Sequence, residues 1–154
     1  MTPHIGKPAP QFTAESTIGP ISLGQCQGRA VVLYFYPKDN TPGCTTESQN
    51  FRDLHADFIE AGAVVVGISR DSLKSHQNFQ AKYELPFPLI ADTDETVCNL
   101  YGVIKQKNMY GKQVRGIERS TFLIDAYGRL VQEWRGVKVP NHANEVLQAA
   151  RSIG

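Results

Sequence analysis

Apolar residues along this chain fall into short dense runs separated by amphipathic stretches. Ala30-Val31-Val32-Leu33-Tyr34-Phe35-Tyr36 is continuous, β-branched and aromatic. A run that short and apolar on both faces predicts a strand covered from both sides. Ala63–Ser69 repeats the pattern, and Leu89-Ile90-Ala91 predicts a third, shorter strand. Between the first two runs, Phe51, Leu54, Phe58 and Ile59 recur at helical spacing. They predict a helix from Cys44 or Thr45 to Ala61, with Gly62 placed to end it. Asp71 or Ser72 caps a further helix carrying Leu73, Phe79 and Tyr83, which Pro86 and Pro88 break. Asp92 with Glu95 fits a capping box for a short helix through Val97, Leu100 and Tyr101. Ser120–Asp125 and Leu130–Arg135 read as strands joined at Ala126-Tyr127-Gly128-Arg129, and a last helix capped by Asn141 buries Val146, Leu147 and Ala150. Two short strands flank Gly19-Pro20, with Phe12, Ile18, Ile21 and Leu23 as their apolar positions. Lys105 to Gly116 is polar and basic with no apolar period, and reads as a long loop.

Strands alternating with helices imply parallel crossovers, and the late hairpin adds antiparallel strands to the same sheet. The expected fold is α/β and thioredoxin-like: a central mixed β-sheet sandwiched by helices, with an N-terminal β-hairpin. The 154 residues suit one domain, residues 1–154. Sixteen Lys and Arg against 15 Asp and Glu leave a formal charge of +1. That balance gives no electrostatic case for nucleic acid or an anionic membrane. No apolar run approaches the roughly 18 residues of a membrane span. Met1-Thr2-Pro3-His4 lacks the basic and apolar parts of a signal peptide, so a cytoplasmic setting is expected. The cysteines are Cys26, Cys44 and Cys98, and three cannot all pair within one chain. In a reducing compartment they are reactive groups or core filler rather than staples.

The segment Pro37-Lys38-Asp39-Asn40-Thr41-Pro42-Gly43-Cys44-Thr45-Thr46-Glu47 follows a strand and opens a helix. In open α/β sheets ligands bind at that position. Cys44 falls in the first turn, where unpaired N–H groups and the helix dipole favour an anion such as a thiolate. Gly43 allows close approach to the backbone, and the Thr41 hydroxyl is placed to donate to the thiolate or to an oxygen beside it. The plain alternative is an inert thiol at a helix start. His4, His55, His76 and His142 are scattered, none at zinc-ligand spacing with a cysteine, and read as surface or packing residues. There is no C-x-x-C, Walker or G-x-G-x-x-G pattern.

Pro37, Thr41 and Cys44 match the PxxxTxxC motif of peroxiredoxins, which this chain resembles along nearly its whole length. Gly6-Lys7-Pro8-Ala9-Pro10-Gln11-Phe12 looks like that family's N-terminal pattern. Arg119-Ser120-Thr121-Phe122-Leu123-Ile124-Asp125 resembles the strand that brings its active-site arginine. Asn108-Met109-Tyr110-Gly111-Lys112 and the length resemble the bacterioferritin comigratory protein, or peroxiredoxin Q, subfamily. The resemblance implies reduction of hydrogen peroxide and organic hydroperoxides, with no metal or organic cofactor. It makes Cys44 the peroxidatic nucleophile. Thr41 and Arg119 arrange the peroxide and the thiolate, Pro37 shields the site and Glu47 orients Arg119. A monomer or weak homodimer is implied.

The resemblance breaks at the second thiol. Many members of the subfamily carry a resolving cysteine five residues after the first, or on the following helix. Those positions are Gln49 and Gln80 here. Cys98 lies between Val97 and Leu100 and reads as core packing, with a resolving role as the alternative; Cys26 reads as an incidental turn thiol. The expected chemistry is one-cysteine turnover, an external thioredoxin-, glutaredoxin- or glutathione-type thiol reducing the Cys44 sulfenic acid. Two alternatives stand beside it: Cys98 resolving Cys44, and a thioredoxin-like sensor or holdase that reacts without turning over. The basic cluster Lys105, Lys107, Lys112 and Arg115 reads as a solvated face, or as a dock for an acidic reductant.

Overall fold

The computed structural model describes residues 3–153, apart from the side chains of residues 107 and 109. Met1 and Thr2, which open the segment read for a leader, lie outside the described residues, as does the side chain of Lys107. The fully apolar run forms β3 (Ala30–Phe35), after a small hairpin of β1 (Thr13–Ala14) and β2 (Ile21–Ser22). β4 (Ala63–Ser69) pairs parallel to it and β5 (Leu89–Ala91) parallel to β4, while on the other side β8 (Ser120–Ile124) pairs antiparallel to β3 and β9 (Leu130–Arg135) antiparallel to β8. The strand order is β5-β4-β3-β8-β9.

Period-two alternation sorts β3 between two cores. Val31, Leu33 and Phe35 join one cluster with Phe12, Tyr101, Ile117 and Phe122. Val32, Tyr34 and Tyr36 join another with Phe51, Phe58, Phe79 and Val146. The second face is covered by α1 (Pro42–Asp53), α2 (His55–Glu60), α3 (Leu73–Tyr83) and α5 (His142–Ile153). The first is covered by α4 (Thr96–Leu100) and the N-terminal segment. Both faces are dry, which is why β3 shows no polar positions. No helix of the described residues is long and apolar enough to cross a membrane.

Several elements differ from the sequence expectation. Lys105–Gly116 is not a loop but a hairpin, β6 (Ile104–Met109) paired with β7 (Lys112–Ile117). Tyr110 and Gly111 turn it with φ of 54° and 80°, the positive pair a two-residue hairpin turn needs. Its residues are mostly exposed, so no apolar alternation marked it. The helix expected from Cys44 to Ala61 starts earlier, at Pro42, and breaks at Leu54. A helical period cannot reveal that break, because Phe51, Leu54 and Phe58 keep the same spacing across it. Glu95 does not reach back to complete a capping box. It takes a left-handed conformation (φ 64°) and turns its carboxylate to Arg70 and Arg115. Asp92 accepts from the N–H groups of Val97 and Cys98 at 3.0 and 2.7 Å, and Asp94 from that of Thr96 at 3.1 Å, so these two carboxylates satisfy the helix start. Ile18 is 71% exposed rather than an inward position, and Cys26 ends a 3-10 turn (Leu23–Cys26).

Candidate active site

The parallel register ends β3 at Phe35, and the chain leaves the sheet through a loop into α1. Thr41 stands at the N-cap in extended conformation, Pro42 at the first helical position and Cys44 at the third. Proline suits that place because its missing N–H has no intrahelical acceptor there. The first helical amide to find one is that of Thr45, on the Thr41 carbonyl at 2.9 Å. The N–H groups of Gly43 and Cys44 are therefore among the unpaired donors of the helix start. Antiparallel pairing sets Phe35 opposite Ser120, so Arg119, one residue earlier, falls beside the end of β3.

Arg119 links the site. Its Nη2 donates to Cys44 Sγ at 3.4 Å and its Nη1 to Glu47 Oε1 at 2.5 Å. Glu47 lies one turn after Cys44, three positions on, so both face the same guanidinium. Gly43 serves this approach: a Cβ there would stand 3.2 Å from Arg119 Nη2. Cys44 and Glu47 are each 1% exposed. Burial pushes the Glu47 carboxyl up to about 7, against the opposing pull of Arg119. Its second oxygen, Oε2, has no hydrogen-bond partner among the described residues. For Arg119, burial disfavours the charge, but Glu47 and Cys44 outweigh it and hold the guanidinium above its ordinary value.

Thr41 differs from expectation. Its one hydroxyl proton goes to the Lys38 carbonyl at 2.8 Å, so toward a ligand this oxygen is an acceptor, not a donor. Pro37 is half-buried in the loop directly after Tyr36. Beside the helix start an open hollow of about 280 Å³ is lined by Pro42, Gly43, Thr46, Asn50, Val139 and Pro140.

The other thiols are elsewhere. Cys44 belongs to the cluster under α1 and α5, whereas Cys98 is buried in the opposite cluster and Cys26 packs against that one. Burial, with the Asp92 carboxylate beside it, pushes the Cys98 thiol far up. Gln80 donates to the Phe87 carbonyl at 2.9 Å, and Gln49 is half-buried on α1.

Two histidines read as packing residues make specific polar contacts. His142 lies 2.8 Å from the Thr121 hydroxyl; burial first, then Arg119, lowers it to about 4. His76 lies 2.8 Å from Asp39 in the active-site loop. The available signal was position: His76 sits on the Leu73–Phe79–Tyr83 stripe and His142 on the Val146–Ala150 stripe, where a polar ring needs a partner.

The AhpC/TSA family model matches residues 5–133. Peroxiredoxin Bcp of Bacillus subtilis is 47% identical over 154 residues, covering 99% of this chain and 98% of that protein. A structure of a cysteine-to-serine variant of Xanthomonas campestris peroxiredoxin Q superposes with a TM-score of 0.92 at 48% identity, covering 100% of both chains. Another, of the bacterioferritin comigratory protein of the same organism, concerns that protein's alkyl peroxide reduction; its TM-score is 0.88 at 51% identity, over 92% of this chain and 90% of that one. Fold, sequence and site agree: this chain belongs to the AhpC/TSA family as a peroxiredoxin of the bacterioferritin comigratory protein and peroxiredoxin Q type, a thiol peroxidase.

Proposed function

We propose that the protein reduces hydrogen peroxide and organic hydroperoxides by one-cysteine turnover, with Cys44 as the only working thiol. The alkyl peroxide reduction of the Xanthomonas relative supports the organic substrates. The Cys44 thiolate attacks the terminal peroxide oxygen; the S–O bond forms as the O–O bond breaks. The electron pair leaves with the second oxygen, which takes a proton from solvent and departs as water or alcohol. Sulfur is oxidised to a sulfenic acid and the peroxide is reduced. Arg119 and the N–H groups at the start of α1 stabilise the developing negative charge. Glu47 holds Arg119 in place, the Thr41 oxygen accepts a hydrogen bond from the peroxide O–H and thereby orients it, and Pro37 screens the thiolate from water.

The observation that carries one-cysteine turnover is the sheet between the thiols. A disulfide needs Cα atoms within about 7 Å, and Cys98 and Cys26 pack on the face opposite Cys44. Cys98 is also a poor nucleophile, since burial pushes its thiol up. An external thiol then condenses with the sulfenic acid, releasing water, and a second thiol frees Cys44 from the mixed disulfide. Residues 1–154 are read as one domain acting in the cytoplasm as a monomer or weak homodimer. Non-reducing peptide mass spectrometry after one equivalent of peroxide tests the route. The expected product is sulfenic acid on Cys44, and an intramolecular Cys44–Cys98 disulfide would refute it. Turnover assays with thioredoxin, glutaredoxin and glutathione in parallel identify the donor. A protein that reacts once and stops with all three is a sensor rather than an enzyme of this kind.

A further inference from the structure

Asp39, in the loop that leads into α1, is 4% exposed and its carboxylate is fully engaged. Tyr36 donates to Oδ1 at 2.6 Å, and Ser75 donates to Oδ2 at 2.8 Å. His76 Nδ1 lies 2.8 Å from the same Oδ2. The other ring nitrogen, Nε2, lies 2.9 Å from the Ile90 carbonyl on β5. His76 itself has no exposed surface. A backbone carbonyl carries no proton, so Nε2 must donate. A carboxylate that already accepts two hydroxyl protons is an acceptor toward Nδ1 as well, so Nδ1 must donate too. With Asp39 ionised, only an imidazolium satisfies both contacts; a proton on Asp39 would instead leave Nδ1 an acceptor, and the two arrangements differ in the protonation of Nδ1. A neutral ring against a carboxylate would set one lone pair facing another at hydrogen-bond distance in a dry site.

We propose that His76 is a positioning residue for Cys44: a buried imidazolium that clamps Asp39, and through it the loop before α1, to α3 and β5. The inference rests on Cys44 being the peroxidatic nucleophile. Within the loop the Thr41 hydroxyl closes on the Lys38 carbonyl at 2.8 Å, a bond that does not tie it to the rest of the fold. Asn40 sits at a φ of 62°, and the Asp39 N–H reaches across to Asp71 Oδ2 at 2.9 Å. Thr41 and the unpaired amides of α1 follow within a few residues, so the clamp sets where they point. The groups facing the pair are Tyr36 from the end of β3, Ser69 and Asp71 from the end of β4, Ser75 on α3, and the Ile90 carbonyl. Asp39, Asp71 and His76 offer three ligand atoms within 4.8 Å of one another. Those atoms already hold the hydrogens of Tyr36, Ser69 and Ser75 and the Asp39 N–H, so hydrogen bonds rather than a cation account for the cluster.

Three measurements test this. Histidine ¹⁵N NMR of the wild-type chain at neutral pH should show His76 protonated on both ring nitrogens. Asp39→Asn supplies an amide N–H to Nδ1, so there His76 should carry a proton on Nε2 alone while the loop stays tied. Single-turnover formation of the Cys44 sulfenic acid should then fall about 10- to 100-fold in Asp39→Leu, which keeps volume and loses every contact, and return to within about threefold of wild type in Asp39→Asn. An unprotonated Nδ1 in the wild type overturns the proposal, whether or not Asp39→Leu folds. So does a folded Asp39→Leu that reacts at the wild-type rate. A sulfenic acid formed on another cysteine in wild type, and persisting in Cys44→Ser, instead overturns the Cys44 reading, while the NMR result still judges the imidazolium.

Discussion

Replacing Arg119 with Ala should slow peroxide reduction far more than it unfolds the chain. In the native site its Nη2 stands 3.4 Å from Cys44 Sγ. At that distance and an effective dielectric of about 20, a full positive charge stabilises a thiolate by about 5 kcal/mol. Glu47, 2.5 Å from the other arm of the guanidinium, cancels part of that whenever it is ionised. Removing a single preorganised donor to developing charge costs about 100- to 1,000-fold in rate, or about 3–4 kcal/mol, and that is the expected loss. The folding cost is smaller for a specific reason. Stranding a buried carboxylate is expensive only while it stays charged. Burial already holds Glu47 up at about 7 with Arg119 present, so without the guanidinium it takes a proton and becomes neutral. What remains is the lost hydrogen bonding, about 1–2 kcal/mol. Rapid-quench trapping of the sulfenic acid, read by intact mass, gives the rate; urea unfolding gives the stability. An Arg119→Ala protein that reacts within threefold of wild type would refute the reasoning. So would one whose rate loss is matched by an equal loss of stability.

Other outcomes follow from the same geometry. Glu47 has a folded pKa raised from 4.5 to about 7, so its contribution to stability is present below 4.5 and is lost as pH rises through 7. Glu47→Gln removes that slope, and its stability relative to wild type should improve by roughly 3 kcal/mol between pH 4 and pH 9 in urea unfolding. His142 works in the opposite direction: lowered from 6.5 to about 4, it favours the fold above 6.5 and loses that contribution as pH falls through 4. Thermal midpoints of His142→Gln should therefore decline less steeply than those of wild type over that window. Gly67→Ala should cost about 1–3 kcal/mol of stability, because a Cβ would meet Leu89 at 2.7 Å and the Tyr34 ring at 2.8 Å. Cys98→Ala should leave steady-state turnover with an external thiol within about twofold while lowering stability by about 1 kcal/mol for the small cavity it opens; lost turnover would return Cys98 to the mechanism.

The α/β order, the five sheet strands and the helix-start position of Cys44 were legible because each is a local property of the chain. A run apolar on both faces, a proline and a helical stripe carry their meaning within about ten residues. Cys44, Glu47 and Arg119 were also named in advance, the first by its place at a helix start and the other two through the family resemblance. What the chain could not display was contact between residues far apart in it. The proton of Thr41 goes to Lys38, which reverses the donor role expected for it. The hairpin Ile104–Ile117 escaped notice because neither of its faces is dry enough to impose a period. His76 and Asp39 are 37 residues apart and meet only because β4 and β5 pack in register beside β3. The three cysteines show the division most plainly. Their number alone excluded a fully paired framework, and Gln49 and Gln80 removed the expected partners. Alternation along β3 then turned its side chains to two different cores. Cys44 lies in one, and Cys26 and Cys98 belong to the other, an arrangement set by the closure of the sheet and by nothing local to any cysteine.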